Sequence, residues 1–268
     1  MSMTAQEEAR ETPTAGGKLH GKVALVTAGA GAGIGRAVAE QFAREGAEVV
    51  VTDAHGGRAA TAGTEIGEVV GREVLGLELD VRNQEHIDAA VATTLERFGQ
   101  IDVLFNNAGI NELKPVWEID DATWEKVMGI CLDGPFRCMR AVLPGMLERG
   151  SGSIVNVASV AGYIASNMGE AAYCAAKAGV MGLTRASAAE CGPKGVRVNA
   201  IAPGVIMNPF LSRIYPAGSL EAMADDSALK RLGKPEDIAK LALFLASDDS
   251  SYITGEVHTI SGGLYMHP

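Results

Sequence analysis

Short aliphatic runs alternate along this chain with longer segments of helical period. Several of these runs are continuously apolar, which is typical of strands covered by helices on both faces of a parallel sheet. The repeated β-α-β alternation predicts an α/β fold, a single doubly wound Rossmann-fold domain with a mostly parallel, roughly seven-stranded sheet. The predicted strands are Val23–Thr27, Glu48–Thr52, Val74–Glu78, Val103–Asn106, Ser153–Val157, Arg197–Ile201 and Glu256–Ile260, and the predicted helices include Arg36–Glu45, Gln84–Phe98, Asp121–Arg140 and Tyr173–Cys191.

The length of 268 residues is compatible with one domain, which we place at residues 18–268 behind a polar and mobile tail of residues 1–17. The hydrophobic fraction of 47% allows a large buried core. The net charge of −10 argues against nucleic acid or an anionic membrane surface as a partner. We also expect no membrane span, because no apolar run reaches the ~18 residues that a bilayer requires.

The chain has four cysteines with no C-x-x-C pair, at positions 131, 138, 174 and 191. This pattern indicates reduced thiols in a cytoplasmic protein rather than a disulfide framework. The five histidines show no spacing typical of metal ligands. We therefore expect no metal site, and a metal-dependent hydrolase has no support.

The first predicted strand runs into a glycine-rich turn, VTAGAGAGIGRAVAE at residues 26–40, and a helical pattern follows. The glycines of Gly29-x-x-x-Gly33-Ile34-Gly35 permit a tight turn and let a pyrophosphate approach the backbone. Free N–H groups at the start of the helix then face the phosphate charge. The turn predicts a dinucleotide-binding site.

The second predicted strand leads into Asp53, 20 positions beyond Gly33. A carboxylate there can accept hydrogen bonds from both hydroxyls of an adenosine ribose, and it would repel a 2′-phosphate. No arginine directly follows Asp53, and Arg58 is a more distant exception. The sequence therefore favours NAD over NADP.

Tyr173 and Lys177 are four positions apart on a predicted helix, so their side chains share one face. A phenol ionises near pH 10, but a nearby ammonium and a positive nicotinamide ring both favour the phenolate. We expect Lys177 to lower the pKa of Tyr173, which then exchanges a proton with an alcohol or ketone as hydride moves. Ser159 follows an apolar strand, and its hydroxyl is expected to orient the reacting oxygen.

These residues belong to an ordered set of motifs that resembles the short-chain dehydrogenase/reductase family, classical type, over about residues 19–265. The further motifs are Asp80-Val81, Asn106-Asn107-Ala108-Gly109, Asn199, Pro203-Gly204, Ser251-Tyr252-Ile253-Thr254-Gly255 and Ser261-Gly262-Gly263. The resemblance implies that Lys177 holds the nicotinamide ribose. It also implies a homotetramer assembled through the long helices around residues 121–145 and 173–191. The implied cofactor contacts are Asp80 and Val81 at the adenine, Asn107, Ala108 and Gly109 beside the central strand, and Pro203, Gly204 and Ile206 around the nicotinamide.

Two departures from the family pattern concern spacing. Ala28 stands where a threonine is usual, and Thr27, one position earlier, can serve in its place if the turn is shifted. Ser159 and Tyr173 are 14 positions apart, one more than is usual. The extra residue is expected to bulge within residues 163–172, which we expect to line the substrate pocket.

Two further departures replace one side chain by another. Cys131 stands where many members have an asparagine that holds a proton-relay water, and a thiol is a weaker hydrogen-bonding group. We expect Cys131 to be a small packing residue of the helix, with an altered proton relay as the alternative. Asn208 stands where a threonine often contacts the nicotinamide carboxamide, and an amide can make the same contact. Asn199 is expected to tie a loop to a strand, and Trp117 and Trp124 are expected to pack.

By the same resemblance, residues 207–228 should close over the substrate. The segment is rich in apolar and aromatic residues, which suggests a small, partly apolar alcohol or ketone. We predict an oxidoreductase that transfers hydride between NAD and a secondary alcohol or ketone. The alternatives are an NADPH-dependent 3-oxoacyl thioester reductase and a non-catalytic NAD-binding sensor. The side chains that suggest the apolar substrate are Met207, Phe210, Leu211, Ile214, Tyr215 and Leu220.

Overall fold

A computed structural model describes residues 16–164, 167–209, 211, 215–216 and 218–267 of the chain. These residues form one seven-stranded sheet in the order β3-β2-β1-β4-β5-β6-β7, with every neighbouring pair parallel. The doubly wound α/β prediction is confirmed. The strands are β1 (Val23–Val26), β2 (Glu48–Asp53), β3 (Val74–Glu78), β4 (Val103–Asn106), β5 (Gly152–Val157), β6 (Val196–Pro203) and β7 (Val257–Ile260).

Helices cover both faces of this sheet, which explains why the inner strands have no exposed face. The helices are α1 (Ile34–Arg44), α2 (Gly56–Val70), α3 (Gln84–Phe98), α4 (Asp121–Met128), α5 (Gly134–Arg149), α6 (Ala171–Cys191), α7 (Ser219–Asp226) and α8 (Pro235–Ala246). One buried cluster joins α1 and α8 to the sheet, with Phe42 of α1 packed edge-on against Phe105 of β4. A second cluster joins α3 and α5 to the opposite face, through side chains such as Ile87 and Met146.

The predicted helix Asp121–Arg140 is interrupted in the structure. The segment α4 ends at Met128, a π-helical turn occupies Gly129–Asp133, and α5 continues to Arg149. A π turn inserts one extra residue into the helical ladder, and such turns are frequent at functional sites. Cys131 lies in this turn and is fully buried.

Several boundaries and packing roles differ from the sequence-based expectations. The helix α6 begins at Ala171, two residues before Tyr173. The expectation that Trp117 and Trp124 pack inside is wrong, since their exposed fractions are 81% and 41%. The size and apolar character of tryptophan suggest that it is buried, but whether it faces the core or solvent depends on the tertiary fold.

Other expectations about the chain as a whole have mixed outcomes. Residues 1–15 lie outside the described residues, whereas Gly17 closely approaches the backbone of Glu45, so contact with the domain begins there. The 1–17 boundary stays a prediction. None of the helices in the described part of the chain is long and apolar enough to cross a membrane. All four cysteines are free thiols.

Candidate active site

The carboxyl ends of the central strands bring the candidate site residues together. The strand order reverses direction beside β1, whose neighbours are β2 and β4. Ligands of open α/β sheets bind in the crevice at such a switch point, outside the carboxyl ends of the strands. Thr27 follows β1, Asn107 follows β4, and Ser159 lies two residues after β5. One edge of the sheet therefore carries both the glycine turn and the predicted catalytic groups.

The glycine turn closely fits against its neighbouring strands. A Cβ at Gly29 would lie 2.3 Å from Cγ2 of Val51, and one at Gly35 would lie 2.6 Å from Nδ2 of Asn107. Side chains are excluded at both positions. Gly33 is the N-cap residue of α1, and Ile34 is the first helical residue. These features match a turn whose backbone N–H groups receive a phosphate, so the residues present fit a dinucleotide.

Thr27 takes the place of the expected threonine. Its Oγ1 accepts hydrogen bonds from the backbone N–H groups of Asn107 (2.9 Å) and Ala108 (3.2 Å). Ala28 adopts a left-handed conformation with φ of 52°. The Nδ2 of Asn107 donates to the carbonyl oxygen of Ala28 (3.1 Å). The shifted turn proposed from the sequence therefore ties β1 to the segment after β4.

Asp53 lies at the end of β2 and is almost completely buried. Its Oδ1 accepts hydrogen bonds from the backbone N–H of His55 (3.0 Å) and from Nη2 of Arg58 (2.6 Å). Arg58 is therefore not distant, which corrects the sequence-based expectation. The β2–α2 turn and the first helical residues of α2 fold the guanidinium back onto the carboxylate.

Asp80 is paired with an arginine that the sequence reasoning did not single out. Arg82 donates to both carboxylate oxygens of Asp80, through Nε to Oδ1 (3.1 Å) and through Nη2 to Oδ2 (2.6 Å). This pairing holds the pKa of Asp80 below its usual value. Val81 is buried, and a Cβ on Gly134 would lie only 2.7 Å from its Cγ2. Contact of Asp80 and Val81 with an adenine stays a prediction.

The segment that follows β6 approaches the glycine turn. Gly204 donates its backbone N–H to the carbonyl of Ile260 (3.0 Å), at the end of β7. Ile206 is buried. The Cβ of Asn208 lies 4.0 Å from the position that a Cβ on Gly33 would occupy. A cavity of about 640 Å³ is lined by both Gly33 and Asn208, so the two segments face a common space.

Ser159, Tyr173 and Lys177 converge despite the unusual spacing. Ser159 accepts a hydrogen bond from the backbone N–H of Ala161 (3.2 Å), and its hydroxyl lies close enough to the Tyr173 phenol to lower the pKa of that phenol. Lys177 is almost completely buried, and its Nζ lies 5.5 Å from the centre of the Tyr173 ring. The same Nζ donates to the carbonyl oxygen of Val157 (2.7 Å). The expected bulge within residues 163–172 includes positions 165 and 166, which lie outside the described residues.

The pKa of Tyr173 differs from the expected direction. Burial is the main cause that raises the Tyr173 pKa above the ordinary value of a phenol, while Ser159 acts in the opposite direction. Burial likewise lowers the pKa of Lys177. Desolvation of the phenol therefore gives a shift opposite to the expected one. Tyr173 retains its proton at neutral pH, which is the form that donates to a ketone.

Cys131 packs in a buried cluster with Val127, Ala172 and Ala176, as expected, and it also makes polar contacts. Its Sγ donates to the carbonyl oxygen of Ile110 (3.2 Å) and accepts from the backbone N–H of the same residue (3.3 Å). A Cβ on Gly109 would lie 3.5 Å from Nζ of Lys177 and 3.8 Å from Sγ of Cys131. The thiol thus fixes the backbone that passes beside Lys177.

Asn199 has the structural role that was expected. Its Nδ2 donates to the carbonyl of Ile253 (2.8 Å), and its Oδ1 accepts from the backbone N–H of Glu256 (3.1 Å). In contrast, a cluster of Asn111, Glu170 and Tyr215 beside Tyr173 was missed. The sequence signal was an acidic residue three positions before Tyr173. No cluster of three or more metal-ligating side chains occurs among the residues that the structure describes.

The fold and site together define an oxidoreductase of the doubly wound nicotinamide-dependent class. A family model described as enoyl-(acyl carrier protein) reductase matches residues 29–265. The chain belongs to the short-chain dehydrogenase/reductase family.

Named relatives are similar over nearly the whole chain. A hydroxy-methyl-oxo-hexahydro-indene-carboxyl-CoA reductase of Mycobacterium tuberculosis is 41% identical over 91% of this chain and 94% of the relative. A 3-oxoacyl-(acyl-carrier-protein) reductase of Thermotoga maritima is 40% identical over 93% of this chain and 100% of the relative. A crystal structure of a short-chain type dehydrogenase/reductase from Mycobacterium marinum aligns with a TM-score of 0.89 and 31% identity, covering 93% of this chain and 98% of the other.

Proposed function

We propose that this chain catalyses hydride transfer between NAD and a secondary alcohol or ketone. The observation that carries the proposal is the convergence of Ser159, Tyr173 and Lys177 beside the glycine turn. A bound nicotinamide supplies or accepts the hydride. The remaining chemistry belongs to the side chains, which must orient the substrate oxygen and move one proton.

Each of the three side chains has a distinct role in this proposal. Tyr173 donates its phenolic proton to the oxygen of a ketone, or accepts the proton of an alcohol in the reverse direction. Ser159 hydrogen-bonds the same oxygen and fixes its orientation. Lys177, with its ammonium beside the Tyr173 ring, offsets negative charge on the phenolate and binds the nicotinamide ribose.

The choice of NAD rests on Asp53. A buried carboxylate at the end of β2 accepts hydrogen bonds from ribose hydroxyls and repels a 2′-phosphate. The proposed contacts of Asn107, Ala108, Gly109, Pro203, Gly204, Ile206 and Asn208 place the rest of the cofactor across the carboxyl edge of the sheet. We further propose a homotetramer, and a cytoplasmic location that suits four free thiols.

An NADPH-dependent 3-oxoacyl thioester reductase is the second candidate. It is favoured by the ion pair of Arg58 with Asp53, because Arg58 partly neutralises the acid that opposes a 2′-phosphate. The names of the relatives also favour it, since they include a CoA-thioester reductase and a 3-oxoacyl-carrier-protein reductase. The partly apolar substrate remains compatible with both candidates.

Initial rates separate these candidates. Reduction of cyclohexanone and of acetoacetyl-CoA should be measured with NADH and NADPH, for the native protein and for Tyr173→Phe. Faster turnover of cyclohexanone with NADH, lost in the variant, supports the leading proposal. Faster turnover of acetoacetyl-CoA with NADPH supports the second candidate. Binding of NAD without turnover of either probe contradicts both and supports the sensor alternative.

A further inference from the structure

Glu170 is a buried acid that the proposed reaction does not use. It is the residue before α6, and its carbonyl accepts the backbone N–H of Cys174 (2.8 Å), so it begins the helix that carries Tyr173. Its side chain is therefore held close to the catalytic phenol by the start of the helix. A carboxylate in such a position has to be explained, because burial of a charge is costly without hydrogen bonds.

Two side chains from separate parts of the chain donate to this carboxylate. Nδ2 of Asn111, from the segment between β4 and α4, lies 2.7 Å from Oε1 of Glu170. The hydroxyl of Tyr215, from the segment between β6 and α7, lies 2.9 Å from the same oxygen. Glu170 thus links three segments that are far apart in sequence. Hydrogen bonds to a charged acceptor are stronger than those between neutral groups.

The position of Glu170 is itself fixed by the backbone. Gly169 has a φ of 84°, and its carbonyl accepts the backbone N–H of Lys114 (2.8 Å). A Cβ on Gly169 would lie 2.7 Å from the carbonyl carbon of Lys114, so this contact requires glycine. The hydrogen bond between Lys114 and Gly169 and the hydrogen bond from Asn111 therefore fix the position of Glu170 independently of Tyr215.

We propose that Glu170 is a positioning residue for the reaction, which holds the Tyr215 hydroxyl beside Tyr173 and thereby fixes one side of the space that the substrate occupies. This proposal rests on the proposed function. Tyr215 is an aromatic side chain of a segment expected to contact a partly apolar substrate. Fixing its ring in advance lowers the entropy lost when the substrate binds.

The charge of Glu170 also acts on Tyr173. The groups that shift the pKa of Tyr173 lie on several different segments of the chain. Burial raises the pKa of Tyr173 most, and Cys131, Tyr215 and Glu170 raise it further, whereas Ser159 lowers it. Lys177 faces the ring from its own helix. A neutral glutamine in place of Glu170 should therefore lower the pKa of Tyr173 while still accepting the two hydrogen bonds.

Kinetic constants of three variants test the proposal, with cyclohexanone and acetoacetyl-CoA as probes. Tyr215→Phe should raise KM for the probe about five- to tenfold, with kcat and the KM for the cofactor changed less than about twofold. Glu170→Ala should raise KM by the same factor. The double variant Glu170→Ala/Tyr215→Phe should be no worse than Glu170→Ala, because each single change already removes the hydrogen bond between Tyr215 and Glu170. Independent, multiplicative effects in the double variant would overturn the proposal.

The matched control is Tyr252→Phe, which removes the hydroxyl of a fully exposed tyrosine. It should leave both KM values unchanged. Glu170→Gln should keep a KM near that of the native protein and shift the pH dependence of alcohol oxidation to lower pH. An unshifted profile would contradict the predicted influence of Glu170 on Tyr173.

Hydrogen exchange provides a readout that does not depend on turnover. Peptides that contain Tyr215 should exchange faster in Tyr215→Phe and in Glu170→Ala than in the native protein, and at the native rate in Tyr252→Phe. Unchanged exchange in the first two variants would overturn the proposal even in an active enzyme. Faster exchange in a protein that turns over neither probe would support the contact and contradict the proposed function.

Discussion

The guanidinium of Arg58 lies against the carboxylate of Asp53, with Nη2 2.6 Å from Oδ1 and Nε 3.2 Å from the same oxygen. Asp53 is nearly buried, whereas the side chain of Arg58 is 60% exposed. The acid is therefore fixed and the arginine can move. An exposed ion pair contributes little to stability, so its main consequence concerns the charge that a cofactor meets.

Arg58→Ala is expected to change the cofactor preference. Without the guanidinium, the negative charge of Asp53 repels a 2′-phosphate fully, so kcat/KM for NADP should fall about tenfold, or about 1.4 kcal/mol. The value for NAD should change less than about twofold. Arg97→Ala is the matched control, because it removes an exposed arginine that is paired with Glu73 away from the site. An equal loss for both cofactors would contradict this role of Arg58.

Cys131 should tolerate serine better than alanine. A serine hydroxyl can donate to and accept from Ile110 as the thiol does. Alanine leaves the backbone N–H and carbonyl of Ile110 without this side-chain partner, at a cost of about 1–3 kcal/mol. Urea unfolding should show the larger loss of stability for Cys131→Ala, together with the larger loss of kcat. Equal stability of the two variants would show that Cys131 only fills space.

Ala28→Gly is expected to stabilise the protein slightly. A left-handed backbone costs a non-glycine residue roughly 1–2 kcal/mol, while added glycine entropy in the unfolded chain offsets about 0.4–1 kcal/mol. The net gain should be about 1 kcal/mol or less in urea unfolding. Ala30→Gly is the control, because Ala30 does not have a positive φ, and this variant should be less stable than the native protein. A loss of stability in Ala28→Gly would contradict the strain at this position.

The pH dependence should follow the protonation of Tyr173. Its pKa is raised mainly by burial, so the protonated phenol persists through neutral pH. Ketone reduction needs that proton and should stay constant near neutrality, falling only as the pH rises through the raised pKa. Alcohol oxidation needs the phenolate and should increase with pH over the same range. Initial rates in both directions between pH 6 and pH 10 test the sign, and oxidation that is fastest at acidic pH would contradict it.

Residues 207–228, which were expected to close over the substrate, show where sequence reasoning reached its limit. Their apolar character was visible, but Phe210 and Ile214 lie outside the described residues, and the hydrogen bond of Tyr215 to Glu170 joins residues 45 positions apart. No local pattern predicts such a contact, since it depends on how two loops meet. The same reason explains why Asn111 was missed.

The strand–helix alternation, the glycine turn and the positions of Ser159, Tyr173 and Lys177 could be predicted from the sequence, because periodicity, glycine and local spacing act over a few residues. The π turn at Cys131, the ion pair of Arg58 with Asp53 and the direction of the Tyr173 pKa shift became visible only in the folded structure. These properties depend on burial and on contacts between distant segments, and the free energy of an ionised group depends on that surrounding rather than on its neighbours in the chain.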